Sequence, residues 1–207
     1  MAISEQEVTI SYVGRRMSLD EFLALPEQEP ALEYDDGVVT QKMSPEINHG
    51  SVAFTFAAEM DRVASQRRLG KASIEIRFRA GGATYVPDAS YYRKERLQLR
   101  APKRFVQLAD APDIAVEVVS PEQGVIGLIG RCLRYLELGV SISILAAPDD
   151  EAVLVFRPGQ PMRVLQGDDR IDLDDLLPGF DLTPRRLFDS IVPDWWDSPS
   201  DAESPDA

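Results

Sequence analysis

Cysteine and histidine are almost missing from this chain. Cys132 is its sole cysteine and His49 its sole histidine among 207 residues. A single cysteine excludes an intramolecular disulfide and any Cys-rich zinc site. Both exclusions agree with a reducing cytoplasm, the compartment we expect. A single histidine means that Ser-His-Asp or Cys-His machinery would have to run through His49. No apolar stretch approaches the roughly 18 to 20 residues that span a bilayer, so no membrane partner is expected. The opening segment, Met1 to Val13, carries Glu5 and Glu7 without a long apolar run, which predicts no secretory signal. No Gly-rich loop leads into Lys-Ser or Lys-Thr, so a P-loop is excluded.

Positive charge is also scarce overall, with a formal net charge of -13. The deficit is uneven. From Asp168 to Ala207 there are twelve acidic residues against three arginines, a net of -9, which leaves -4 for everything before. That earlier part holds two basic clusters: Arg67, Arg68 and Lys71, then Arg93, Lys94, Arg96, Arg100, Lys103 and Arg104. A local basic face on an acidic protein can contact nucleic-acid phosphates. Solvated surface charge is the alternative reading of the same residues.

What is present reads as one α/β domain over residues 1–192, followed by an acidic tail, 193–207, whose composition predicts disorder. Trp195 and Trp196 are expected to pack back on the domain. Ser18 to Glu21 is a capping-box pattern opening a short helix stopped by Pro26. Leu32 to Met43 reads as a hairpin turning at Asp35-Asp36-Gly37. Val52, Phe56, Met60 and Val63 recur at helical spacing from about Ile47 to Arg68, with Gly70 as the expected C-cap. Ala72 to Phe78 alternates Ile74, Ile76 and Phe78 with Glu75 and Arg77, the pattern of a half-buried strand. Thr84 to Tyr92 returns as a strand interrupted at Pro87, and a polar, basic loop covers 93–111. Ile114 to Val119 reads as a buried central strand, Gln123 to Leu138 as a helix, and Val140 to Ala146 as a further buried strand. Ala152 to Phe156 and Met162 to Leu165 form a hairpin. The order from Ile47 to Ala147 is αβββαβ, a mixed β-sheet flanked by helices.

Two acids stand where a core is expected. Asp88 follows Pro87 in a strand, and Glu117 lies inside Val116-Glu117-Val118-Val119. An ionised carboxylate in a buried strand costs several kcal/mol unless it is paired or holds a metal. On neighbouring strands the two carboxylates would converge into a hard-cation site suited to Mg²⁺. The alternative is a buried salt bridge, with Arg131 or Arg77 as partner to Glu117. Glu75 reads either as a third member of that site or as an exposed strand acid. Glu33 reads as lining the cleft or pairing with an arginine, and His49 as a helix-start or packing residue within reach of substrate. Asp113 reads as a strand-entry residue.

Several segments, in order, carry a resemblance. They are Leu32-Glu33-Tyr34-Asp35-Asp36-Gly37, Met43-Ser44-Pro45 with His49-Gly50, Val86-Pro87-Asp88-Ala89-Ser90, Pro112 to Pro121, Tyr135 to Val140, and Leu177-Pro178-Gly179-Phe180. Together they resemble the Uma-two family of bacterial putative restriction endonucleases, a branch of the PD-(D/E)XK nucleases. The resemblance implies a restriction-endonuclease-like α/β fold and Mg²⁺- or Mn²⁺-dependent cleavage of DNA, with a homodimer making the two cuts. It makes Asp88 the motif aspartate and Glu117 the motif glutamate, both holding metal. The family's lysine, four residues before the tyrosine of the next helix, is matched here by Arg131, four before Tyr135. Arginine is permanently protonated and cannot accept a proton, but it can stabilise a phosphoryl transition state. Gly124, Gly127 and Gly130, and the segment Ile142 to Pro148, also depart from the pattern. A catalytically inactive relative that binds nucleic acid or a protein partner is the alternative reading.

Overall fold

The computed structural model describes residues 11–43, 46–97, 99–100, 104–105, 110–121 and 124–192. The expected tail, 193–207 with Trp195 and Trp196, and the basic residue Lys103 lie outside them. Arg100 and Arg104 are described in their backbone only.

The chain opens with α1 (Leu19–Leu23), whose Ser18 cap and Glu21 make the reciprocal capping box that the sequence announces. Strands β1 (Leu32–Asp35) and β2 (Val38–Gln41) form the expected hairpin, with Asp36 and Gly37 both at positive φ in the turn. Helix α2 (Ile47–Arg67) buries Val52, Phe56, Met60 and Val63. Each such side chain contributes roughly 1.5 to 3 kcal/mol when removed from water. The helix ends on left-handed Arg68 rather than at the expected Gly70. Gly70 instead opens β3 (Gly70–Ile74), where a Cβ would collide with the Tyr92 carbonyl oxygen.

The long strand expected from Ala72 to Phe78 does not form. Glu75 takes a positive φ of 52° and breaks the run, leaving Ile74 exposed. Phe78 starts β4 (Phe78–Ala80), which pairs with β5 (Ala83–Tyr85) in a different sheet. Past Pro87 the chain crosses back as β6 (Ala89–Arg93), so the interrupted strand is two strands in two sheets. The basic loop holds β7 (Leu99–Arg100) and β8 (Arg104–Phe105). Then follow β9 (Ile114–Val118), α3 (Val125–Glu137), β10 (Ile142–Ala147), β11 (Ala152–Phe156), β12 (Arg163–Gln166) and α4 (Pro184–Asp189).

The main sheet runs β12-β11-β10-β9-β6-β3, with β9 and β10 parallel and the other pairs antiparallel. With α2 and α3 on its two faces, this is the αβββαβ order read from the sequence. The second sheet runs β2-β1-β5-β4. Phe78 and Tyr85 from that sheet join Ala115, Tyr135 and Val140 in one cluster, which wedges the small sheet against α3 and β9. Gly127 and Gly130 face open space and receive no close backbone neighbour.

Candidate functional site

The register of β6 and β9 decides where the two acids meet. The register ends with Ala89 opposite Val116, and Asp88 and Glu117 are the next residues along the two strands. Directly opposite residues share one face of a sheet, with Cβ atoms about 5 Å apart. Both side chains are buried, at 3% exposure each. Pro87 supplies no backbone donor and ends the crossing from the small sheet, which leaves Asp88 as the residue just before β6.

Each carboxylate is held from several directions. The backbone N–H of Val118 donates to Asp88 Oδ2 at 2.7 Å. On Oδ1 converge the Lys42 ammonium at 2.7 Å and His49 Nε2 at 3.1 Å. His49 Nδ1 is in turn 2.9 Å from the Ser120 hydroxyl. Burial alone would raise the Asp88 pKa, but the His49 hydrogen bond and the Lys42 charge outweigh it and hold the carboxyl below its usual range. The Tyr135 hydroxyl donates to Glu117 Oε1 at 2.5 Å, while Arg131 Nη1 stands 3.8 Å from Oε2. Burial, with the Asp88 charge added, pushes the Glu117 carboxyl up to about 8. Glu117 thus has the weaker share of the local positive charge.

Arg131 is engaged elsewhere. Its Nη2 and Nη1 reach Glu33 Oε2 and Oε1 at 2.8 and 3.0 Å. Its guanidinium also lies over the Tyr85 ring, 5.4 Å from the centroid. Glu33 is fully buried and accepts a further hydrogen bond from the Val86 N–H. Of the salt bridges weighed for Glu117, Arg131 therefore approaches, whereas Arg77 pairs with Glu27 and the Leu32 carbonyl. Glu75 is half exposed, 3.6 Å from Lys42 Nζ, at the rim of the site.

The family model described as a putative restriction endonuclease, Uma2, matches residues 19–185. The chain belongs to the Uma2 family. Among solved structures it is similar to a putative nuclease of the DUF820 group from Anabaena variabilis, at 29% identity and a TM-score of 0.80. That likeness covers 85% of this chain and 99% of the other. No curated protein matches this chain at a significant level. Both matches support a nuclease-like protein acting on nucleic acid.

In this Uma2 member the structure brings together Asp88, Glu117, Arg131, Glu33 and His49, with Glu75 at the edge. It does not bring there the described side chains of the basic loop. Arg93 and Arg96 flank the buried Asp113 at 2.8 and 3.4 Å, at the far end of β6. Five residues of strand, roughly 17 Å at about 3.3 Å each, separate Asp88 from Arg93. Lys94 lies beside them in a short 3₁₀ turn. Lys42 is the residue that sequence reasoning missed. It sits one position past β2, in an otherwise ordinary hairpin end, and nothing in its neighbours signals a partner 46 positions away.

Proposed function

We propose that this chain is a divalent-metal-dependent endonuclease that hydrolyses DNA phosphodiester bonds, with Asp88 and Glu117 as the ligands of Mg²⁺ or Mn²⁺. The observation that carries the reading is the convergence of two buried carboxylates, Asp88 and Glu117, one of which has only the distant Arg131 as its cation. Three of the four acids at the site have a basic side chain within 3.6 Å: Asp88 and Glu75 have Lys42, and Glu33 has Arg131. Among the described residues Glu117 has none closer than Arg131 at 3.8 Å, and its burial, with the Asp88 charge beside it, raises its pKa. Hard oxygen donors fit a hard divalent ion, whose charge would favour the ionised form of Glu117.

When bound, such an ion supplies Lewis-acid polarisation of the scissile phosphate. The chain's own residues set the stage. Val118 N–H and His49 fix Asp88, and Tyr135 fixes Glu117. Arg131 ties Glu33 to the same cluster, a structural use of its two Nη groups in place of the direct phosphate contact suggested by the sequence. In hydrolysis a water oxygen bonds to phosphorus, the ester P–O bond breaks, and the departing sugar oxygen takes up a proton. The basic segment from Arg93 to Arg104 would meet flanking phosphates, since roughly 17 Å spans about five base pairs of DNA. Only backbone contacts are implied, with no base readout. A cytoplasmic homodimer making two cuts completes the reading, and among the described residues no helix is long and apolar enough to cross a membrane.

A second reading has one observation in its favour. Lys42 and His49 already satisfy Asp88 Oδ1, as they would in an inactive nuclease-fold protein that binds nucleic acid or a protein partner. Nicking of supercoiled plasmid with Mg²⁺ or Mn²⁺ separates the two. Cleavage that disappears in Asp88→Ala and Glu117→Ala supports the enzyme. DNA binding without cleavage, unchanged by both substitutions, supports the second reading.

A further inference from the structure

We propose that Lys42 is the catalytic lysine of this site, delivered from the second sheet, and that its ammonium contacts the scissile phosphate during DNA cleavage; this rests on the endonuclease reading above. Helix α3 contains no lysine: its basic residues are Arg131 and Arg134. Arg134 lies on Asp35 and Glu137, at 3.0 Å from each. Arg131 spends both Nη groups on Glu33 and its face on Tyr85. Arg131 cannot turn toward a substrate without releasing the buried Glu33, and Arg134 is held on the outer side of the helix by the two more exposed acids.

Lys42 is differently placed. Its side chain is 9% exposed, and the ammonium lies between buried Asp88 at 2.7 Å and half-exposed Glu75 at 3.6 Å. It therefore stands between the inner carboxylate and the solvent-facing rim. An ammonium is a compact charge with three donors on a flexible stem. It can keep one contact with Asp88 and offer another donor to a non-bridging phosphate oxygen, where charge builds up as the water oxygen bonds to phosphorus. The burial that makes the group unusual also makes it effective, because a donor held away from water needs no reorganisation. The backbone fixes its approach: the Lys42 N–H donates to the Ala31 carbonyl at 2.9 Å, which continues the β1–β2 ladder one residue beyond the hairpin.

The test uses the full chain with excess enzyme over supercoiled plasmid and Mn²⁺. Single-turnover nicking, DNA affinity and Mn²⁺ affinity are measured for wild type, Lys42→Met, Lys42→Gln and Lys42→Arg. Loss of one preorganised donor predicts a fall of about 100-fold or more in the cleavage step for the Met and Gln variants. DNA and Mn²⁺ affinities should stay within about threefold on the same basis, with partial recovery in Lys42→Arg. Should the Met variant fail to fold, as judged by circular dichroism, the Gln and Arg variants decide. Cleavage by Lys42→Gln within about threefold of wild type overturns the proposal. So does an at least tenfold tighter Mn²⁺ affinity in the Gln variant, which would mark the lysine as an occupant of the ion's place. A wild-type chain that never nicks sinks the endonuclease reading itself, and this inference with it.

Discussion

The Tyr135 hydroxyl donates to Glu117 Oε1 across 2.5 Å, inside a cluster where both residues are fully or almost fully buried. The tyrosine comes from α3 and the glutamate from β9, so this contact couples the helix to the central strand at the site itself. Tyr135→Phe removes the donor and keeps the ring, which packs edge-on against Phe78 and Tyr85. The expected cost is about 1 to 3 kcal/mol, read as a lower melting temperature, because a buried acceptor loses its partner. Nicking activity should fall with it, while the far-ultraviolet circular dichroism stays unchanged.

Glu117 gives a pH signature. Its carboxyl is raised in the folded chain, chiefly by burial and then by the Asp88 charge. A group raised in this way adds stability below its ordinary value of 4.5 and withdraws it as pH climbs through about 8. The metal-free protein should therefore lose stability, relative to Glu117→Gln, between those limits. Thermal melts of the two proteins from pH 5 to pH 8.5 check this. Equal slopes would show that the carboxyl is not raised.

The position of Asp113 predicts a purely structural effect. Its carboxylate is fully buried and accepts from the Arg93 N–H and Arg93 Nε at 2.8 Å each. Asp113→Ala leaves those donors facing an empty pocket. We expect a loss of roughly 3 kcal/mol, the low end for a broken buried pair because both arginines reach solvent. Urea unfolding measures it, and Mn²⁺ affinity should not change, since the pair lies at the other end of β6.

Cys132 should be silent toward thiol reagents in the native state. It is fully buried, and burial pushes its thiol up to about 12. Thiolate is the reactive form. Titration with a disulfide reagent at pH 8 should find no reactive thiol in the folded chain and one after denaturation. Rapid labelling of native protein would contradict the burial.

Much of the fold was legible because local signals agreed with tertiary structure. The capping box at Ser18, the Asp36-Gly37 turn, the helical stripe from Val52 to Val63 and the β-branched run around Glu117 all lie where their patterns put them. The alternation from Ile74 to Phe78 misled, because a single left-handed residue, Glu75, redirects the chain between sheets, and side-chain periodicity carries no record of it. Asp88 and Glu117 stood out as acids in apolar strands. The Glu33–Arg131 pair was readable only as one option among several, since its members are 98 residues apart. Lys42 was invisible for the same reason, since it is 46 residues from Asp88 and ends a hairpin strand where a charge does not look misplaced.

The crossing at Glu75 and the return at Pro87 mean that the proposed site is assembled from two independently hydrogen-bonded ribbons. Asp88 is tied to the Glu117 strand by the β6–β9 pairing that begins at Ala89 and by the Val118 N–H. Lys42 hangs from the other ribbon, and its distance from them is set by how the two ribbons stack through Phe78, Tyr85 and Tyr135. Trimming the bulk of that aromatic seam, far from any charged atom, would therefore slide the ammonium relative to the acids. The seam is a place where this protein's chemistry can be tuned without altering a single polar residue.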